Sequence, residues 1–139
     1  MVQKWYLDTA IWRDYGENRS DRFRPLGEWA LKFLKKVLED RDYILYSDLV
    51  IEELKVKYTE DEIRNLFEIV SSRRLLVKVE ISDAQIKEAT MLCRKRSVAF
   101  GDALHAVLAR DRQAILISRD KHFAELMDIV MVKKPEDLI

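Results

Sequence analysis

Four acidic residues of this 139-residue chain, Asp8, Glu53, Asp102 and Asp120, have the types and positions to do chemistry together. Asp8 ends a short apolar and aromatic run, Trp5-Tyr6-Leu7, the signature of a strand. Asp102 stands in the first turn of Phe100–Ala109. There Leu104, Val107 and Leu108 recur at helical spacing, and alanines fill the faces between them. Asp120 follows a second apolar run, Ala114-Ile115-Leu116-Ile117, by way of Ser118-Arg119. Any one acid at a helix start can simply complement the helix dipole, by about 0.3–1 kcal/mol. Several gathered at one place are different. At an effective dielectric of about 20, two unit charges about 4 Å apart repel by roughly 4 kcal/mol, so the group needs protons or a cation. An all-oxygen set suits Mg²⁺ or Mn²⁺, and such ions generate a nucleophilic water and assist displacement at phosphorus. The chemistry implied is metal-assisted phosphodiester hydrolysis.

Glu53 enters through the geometry of its helix. At about 100° per residue it falls between Leu49 and Val50, inside the apolar arc. Its neighbour Glu52 falls among Asp48 and Lys55 on the solvated side. A carboxylate that leans toward the core needs a partner, because an unpaired buried charge is costly. Glu53 is therefore the candidate of the pair.

The elements that must position these acids alternate along the chain. Strands are expected at Trp5–Leu7, Tyr43–Tyr46, Leu75–Val79, Ala114–Ile117 and Ile129–Val132. Helices are expected at about 27–40, at 48–58 with Ser47 as N-cap, and after the capping boxes Thr59/Glu62 and Ser82/Gln85. The second of these boxes opens a helix with Ile86, Ala89 and Cys93 turned inward. A short helix through Met127 follows Asp120, and Pro135 begins a last helical turn. Arg13 to Gly27 is polar and broken by Gly16, Pro25 and Gly27, which reads as a loop or a partly helical excursion. Short strands alternating with helices imply a single α/β domain over 1–139. It would have three layers, α/β/α, around a mainly parallel five-stranded sheet. In such a sheet strand C-termini and helix N-termini share one edge, where ligands bind, and Asp8, Asp102 and Asp120 all fall there.

Composition narrows the classes. The chain is 48% hydrophobic, with 25 Lys+Arg against 25 Asp+Glu, so it is a globular chain with no global basic field; a local basic stripe would still suffice for nucleic acid. A single cysteine, Cys93, excludes an internal disulfide. The N-terminal residues are not a signal peptide and no apolar run approaches membrane length, so a cytoplasmic protein is expected. High charge with only three Gln and two Asn leans toward a thermophile.

In Leu7-Asp8-Thr9, Ser47 through Glu53-Leu54, Gly101-Asp102-Ala103-Leu104-His105 and Ser118-Arg119-Asp120-Lys121-His122-Phe123, the sequence resembles the PIN-domain family. Each motif alone is short; their order and spacing together are specific, and they run from Asp8 to Phe123. The resemblance implies a Mg²⁺- or Mn²⁺-dependent endoribonuclease whose metal is held by Asp8, Glu53, Asp102 and Asp120, with Ser118 and Thr9 supporting the acids. Small single-domain members resemble VapC-type toxins, which form homodimers, cleave RNA and are blocked by a small antitoxin. The other readings on the same scaffold are a non-catalytic RNA- or protein-binding module and a housekeeping RNA-processing nuclease. Two Asp-centred rivals fit less well. A haloacid-dehalogenase-type site needs an Asp where Ala10 stands, and a receiver domain needs an acid pair at the first strand.

His105, three residues after Asp102, is either a satisfied core histidine or a group that orients a carboxylate or phosphate. Arg13, Arg119 and Lys121 are the candidate RNA contacts. Arg94-Lys95-Arg96 and Arg73-Arg74 close helices, where cations complement the dipole. His122 reads as a surface residue, Cys93 as a small core residue, and Trp5, Trp12 and Trp29 as core or dimer contacts.

Overall fold

A computed structural model describes residues 2–139. The elements run β1 (Lys4–Leu7), α1 (Thr9–Glu17), α2 (Leu26–Asp40), β2 (Tyr43–Tyr46), α3 (Asp48–Lys55), α4 (Glu60–Ser71), β3 (Leu76–Lys78), α5 (Asp83–Arg96), α6 (Phe100–Asp111), β4 (Ile115–Ile117) and β5 (Val132–Lys133). Two 3₁₀ turns, Lys121–Leu126 and Pro135–Asp137, flank β5. The strands form one sheet in the order β3-β2-β1-β4-β5, every pairing parallel.

Parallel strands need helical crossovers, and those helices bury the sheet on both faces. Adjacent residues of a strand point to opposite faces, yet Tyr6 and Leu7 are both fully buried, as are Leu116 and Ile117. That is why these strands read as unbroken apolar runs rather than as alternating ones. α6 is the most enclosed helix, with every residue from Ala103 to Ala109 buried. A buried Leu or Val there contributes about 1.5–3 kcal/mol relative to its exposed state.

The order of strands creates the site. From β1 the chain moves outward to β2 and β3, then returns to place β4 on the other side of β1. Leu7 pairs with Ile117, and the Asp8 amide donates to the Ile117 carbonyl at 2.9 Å. The carboxyl ends of β1 and β4 therefore lie side by side at the switch point of the sheet, the position where open α/β sheets bind ligands.

Several local expectations differ. Residues 13–17 continue α1, because Ile11, Trp12 and Asp14 bury one side of that helix; only residues 18–25 form the connecting loop. Asn18, in the left-handed region at φ 47°, ends α1. Ser47 occupies the N-cap position of α3 without capping it, since its hydroxyl bonds the Tyr6 phenol. α3 also stops at Lys55 rather than 58. Both capping boxes form, Thr59 with Glu62 and Ser82 with Gln85. Along α5 only Ala89 is fully buried, Cys93 is half-buried, and Ile86 is exposed. The fifth strand is displaced toward the C-terminus. The amides of Ile129 and Val130 bond the Leu126 carbonyl, so the preceding turn continues where a strand was expected. Trp12 is buried against Phe67, and Trp5 packs edge-on to Phe33 while its indole donates to Asp42.

Candidate active site

Asp8 is the first residue past β1 and opens α1, with little exposed surface. Ser118, the first residue past β4, donates its hydroxyl to Asp8 Oδ2 at 3.0 Å. The same oxygen of Ser118 accepts the amide of Asp120 at 3.0 Å. One buried hydroxyl thus ties the ends of both central strands together and sets where Asp120 begins. Asp120 then caps the turn Lys121–Leu126 by accepting the His122 amide.

Glu53, on α3, reaches the same edge. Thr9 donates its hydroxyl to Glu53 Oε1 at 2.8 Å, and His105 Nε2 lies 2.6 Å from the same oxygen. Glu52 points away and pairs with Lys55. Asp102 sits in the first turn of α6, and its neighbour Gly101 brings bare backbone against Glu53. A Cβ on Gly101 would lie 3.3 Å from Glu53 Oε2.

The electrostatics register this crowding. Burial pushes the Asp8 carboxyl above its ordinary range, and Glu53 and Asp120 add to the shift while His105 and Ser118 oppose it. Asp102 is pushed up to about 6, first by burial and then by Asp120 and Asp8. Burial acts on Glu53 in the same direction, but the hydrogen bonds and charge of His105 and the Thr9 hydroxyl outweigh it and hold Glu53 below the ordinary range. Two carboxyls are thus held uneasily at an edge with a third beside them. Oxygens of Asp102 and Asp120 and a ring nitrogen of His122 lie within 4.8 Å of one another. His122 Nδ1 is 3.0 Å from Asp120 Oδ1, although the side chain is largely exposed. Two carboxylates and an imidazole so placed, with Asp102 raised by burial and then by the neighbouring acids, fit a divalent cation.

The three basic candidates differ in their surroundings. Arg119 is enclosed: its guanidinium contacts Glu136 at 2.8 Å and Asp14 at 3.4 Å and lies over the Trp29 ring. It fastens the last turn of the chain to α1 and α2, with a small part of it at the wall of the cavity beside Asp120. Arg13 pairs with Glu17 on α1. Lys121 is exposed and lines a cavity of about 450 Å³ beside Asp120. Lys133, Lys134 and Arg24 line the same cavity, over a floor that includes Val132 and Met127. Lys133 and Lys134 were not among the candidate RNA contacts; in the sequence they are a basic doublet directly after the fifth apolar run.

The chain matches the family model for the PIN domain over residues 5–128. No curated protein sequence matches it. Among solved structures it is similar to VapBC2 from Rickettsia felis bound to a promoter DNA fragment. That match has a TM-score of 0.67 and 15% identity, covering 95% of this chain and 98% of that one. VapBC-1 from nontypeable Haemophilus influenzae also matches with a TM-score of 0.67, at 16% identity, covering 96% and 99%. A toxin–antitoxin complex from Klebsiella pneumoniae matches with a TM-score of 0.61 at 20% identity, covering 94% and 96%.

Proposed function

Because the chain belongs to the PIN domain family, we propose that it is a metal-dependent endoribonuclease and the toxin of a toxin–antitoxin pair. The observation that carries this reading is the meeting of Asp8, Asp102 and Asp120 at the switch point of the sheet, with the carboxyls of Asp8 and Asp102 pushed upward. Asp8, Glu53, Asp102 and Asp120 would hold Mg²⁺ or Mn²⁺. When bound, the ion supplies a water acidified to a nucleophile and neutralises charge developing on the phosphate.

The protein's own groups have separate tasks. Ser118 orients Asp8 and fixes the Asp120 backbone. Thr9 and His105 hold one oxygen of Glu53. Lys121, Lys133 and Lys134 offer phosphate contacts along the cavity beside Asp120, so an RNA strand would run across β5. The toxin assignment draws on the fold shared with the Rickettsia, Haemophilus and Klebsiella complexes. A small antitoxin would be its partner, the working form would be a homodimer, and the place of action would be the cytoplasm. Among the described residues no helix is long and apolar enough to cross a membrane.

The test is cleavage of a broad RNA panel by purified protein with Mg²⁺ or Mn²⁺. Cleavage should vanish in Asp8→Asn and in Asp102→Asn while both variants stay folded. An intact panel with either ion overturns the enzymatic reading. Co-purification of a small protein encoded beside this one tests the toxin assignment separately.

A further inference from the structure

A chain of hydrogen bonds runs from the centre of the sheet to the acidic edge. Ser47 Oγ lies 2.7 Å from the Tyr6 phenolic oxygen, and that oxygen lies 2.7 Å from His105 Nδ1. On the other side of the ring, Nε2 is 2.6 Å from Glu53 Oε1, which also accepts from Thr9. Ser47 and Tyr6 have no exposed surface and His105 has 1%. The four residues Tyr6, Ser47, Glu53 and His105 come from β1, the β2–α3 junction, α3 and α6, so no local motif accounts for their meeting.

We infer that Ser47, Tyr6 and His105 are positioning residues that aim the Glu53 carboxylate at the acidic edge. The direction of the bonds follows from what each group can do. An ionised carboxylate only accepts, so Nε2 must donate to Oε1. The imidazole is held in plane from its far side by the phenol, and the phenol is held in turn by Ser47. The phenol bonds the ring at Nδ1 and Ser47 at its own oxygen, and one proton lies on each of these two bonds whichever way the pair is oriented. Every buried polar atom of the series is then satisfied, and the ring is fixed from both of its nitrogens.

The consequence falls on the two oxygens of Glu53. Oε1 takes two donors and is committed. Oε2 takes none from the described residues and faces the bare backbone of Gly101. The series thus leaves one defined oxygen available to a cation, in an orientation a flexible glutamate on an exposed helix turn would not keep. Ordered partners behind a ligating group typically matter about tenfold or more in metal affinity. The inference rests on the reading of Glu53 as a metal-holding carboxylate.

Tyr6→Phe and Ser47→Ala each remove one hydroxyl and little volume, and Ser47 makes no helix cap to lose. Manganese titration of the full chain should show binding about tenfold weaker in Tyr6→Phe than in wild type. Adding Tyr6→Phe to His105→Gln should produce no further loss, because the phenol acts only through the ring. In metal-free protein, NMR should show a slowly exchanging imidazole Nε2 proton that exchanges faster in Tyr6→Phe. Unchanged manganese affinity with an unchanged Nε2 proton in folded Tyr6→Phe overturns the inference. So do fully additive losses in the double variant. If the wild type binds no manganese, the metal reading fails by itself, and the imidazole proton still decides whether the phenol orders the ring. Ser47→Ala gives a second, milder perturbation should Tyr6→Phe fold poorly.

Discussion

Ser118 and Asp8, 110 residues apart in sequence, are joined by a 3.0 Å hydrogen bond buried between the ends of β4 and β1. The Ser118 hydroxyl has a second task in accepting the Asp120 amide. Ser118→Ala leaves Asp8 Oδ2 without its donor and the Asp120 amide without its acceptor. Loss of a hydrogen bond to a charged group typically costs about 1.5–3 kcal/mol. Urea unfolding should therefore show a drop of that order, and RNA cleavage should fall at least tenfold with Asp8 and Asp120 both still present.

Asp102 supports a prediction of opposite sign. Its carboxyl titrates at about 6 in the folded chain against an ordinary 3.8. A folded pKa raised above the unfolded one means that the folded state binds the proton more tightly. The chain is thus stabilised at low pH and loses that stability as pH climbs from about 4 through about 6. The shift sets a ceiling of about 3 kcal/mol, and solvent screening brings it to about 1. Asp102→Asn should raise Tm by about 3 °C at pH 7.5 without divalent cation, and this gain should disappear at pH 4. The same variant should not cleave RNA.

Gly101 permits the close approach of α6 to Glu53. An alanine Cβ there would stand 3.3 Å from Glu53 Oε2, and Glu53 is held in place through its other oxygen. Alanine is the better helix former by up to about 1 kcal/mol. Gly101→Ala should unfold no more easily than wild type yet bind manganese more weakly and cleave more slowly, which calorimetry and titration would separate.

Much of this was legible in the sequence, for reasons that particular residues make clear. The alternation of elements could be read because each strand is a bare apolar run bounded by polar residues. Glu53 could be told from Glu52 because the helix period alone puts one on the apolar arc. Asp120 past a strand and Asp102 at a helix start followed from the edge that such sheets share. Contacts that depend on packing were hidden. Ser47 looked like a cap, but its hydroxyl is taken by Tyr6, 41 residues earlier. Arg119 looked like a free cation beside an acid, but Glu136 and Asp14 enclose it. The lysines at the end of β5 acquire meaning only once β5 lies next to β4, on the Asp120 side of the sheet.

Those lysines give a fourth prediction. Lys133→Ala with Lys134→Ala, made in an Asp8→Asn background to prevent cleavage, should weaken binding of single-stranded RNA. If both side chains contact phosphates, the slope of log K against log salt should become shallower by about 1.4, at about 0.7 per contact. An unchanged slope would send the strand elsewhere.

Away from the site, Glu17 carries a prediction about acid pH. The Tyr58 hydroxyl donates to it, Arg19 and Lys57 face it, and its carboxyl is held at about 2 against an ordinary 4.5. A depressed folded pKa contributes stability present above 4.5 and lost as pH falls toward about 2. Tyr58→Phe should lower stability at pH 7, and the difference from wild type should close as pH falls from 4.5 toward about 2, as urea unfolding followed by circular dichroism across pH 2–7 would record.

The adjacency of β1 and β4 also sets when the acidic edge exists. During synthesis Ser118 emerges 110 residues after Asp8, and the long-range pairing that unites them closes a large loop. A nascent or prematurely terminated chain lacking β4 therefore carries acids without a centre. Under the proposed ribonuclease activity, this order of assembly would keep the growing chain inert beside the RNA from which it is translated.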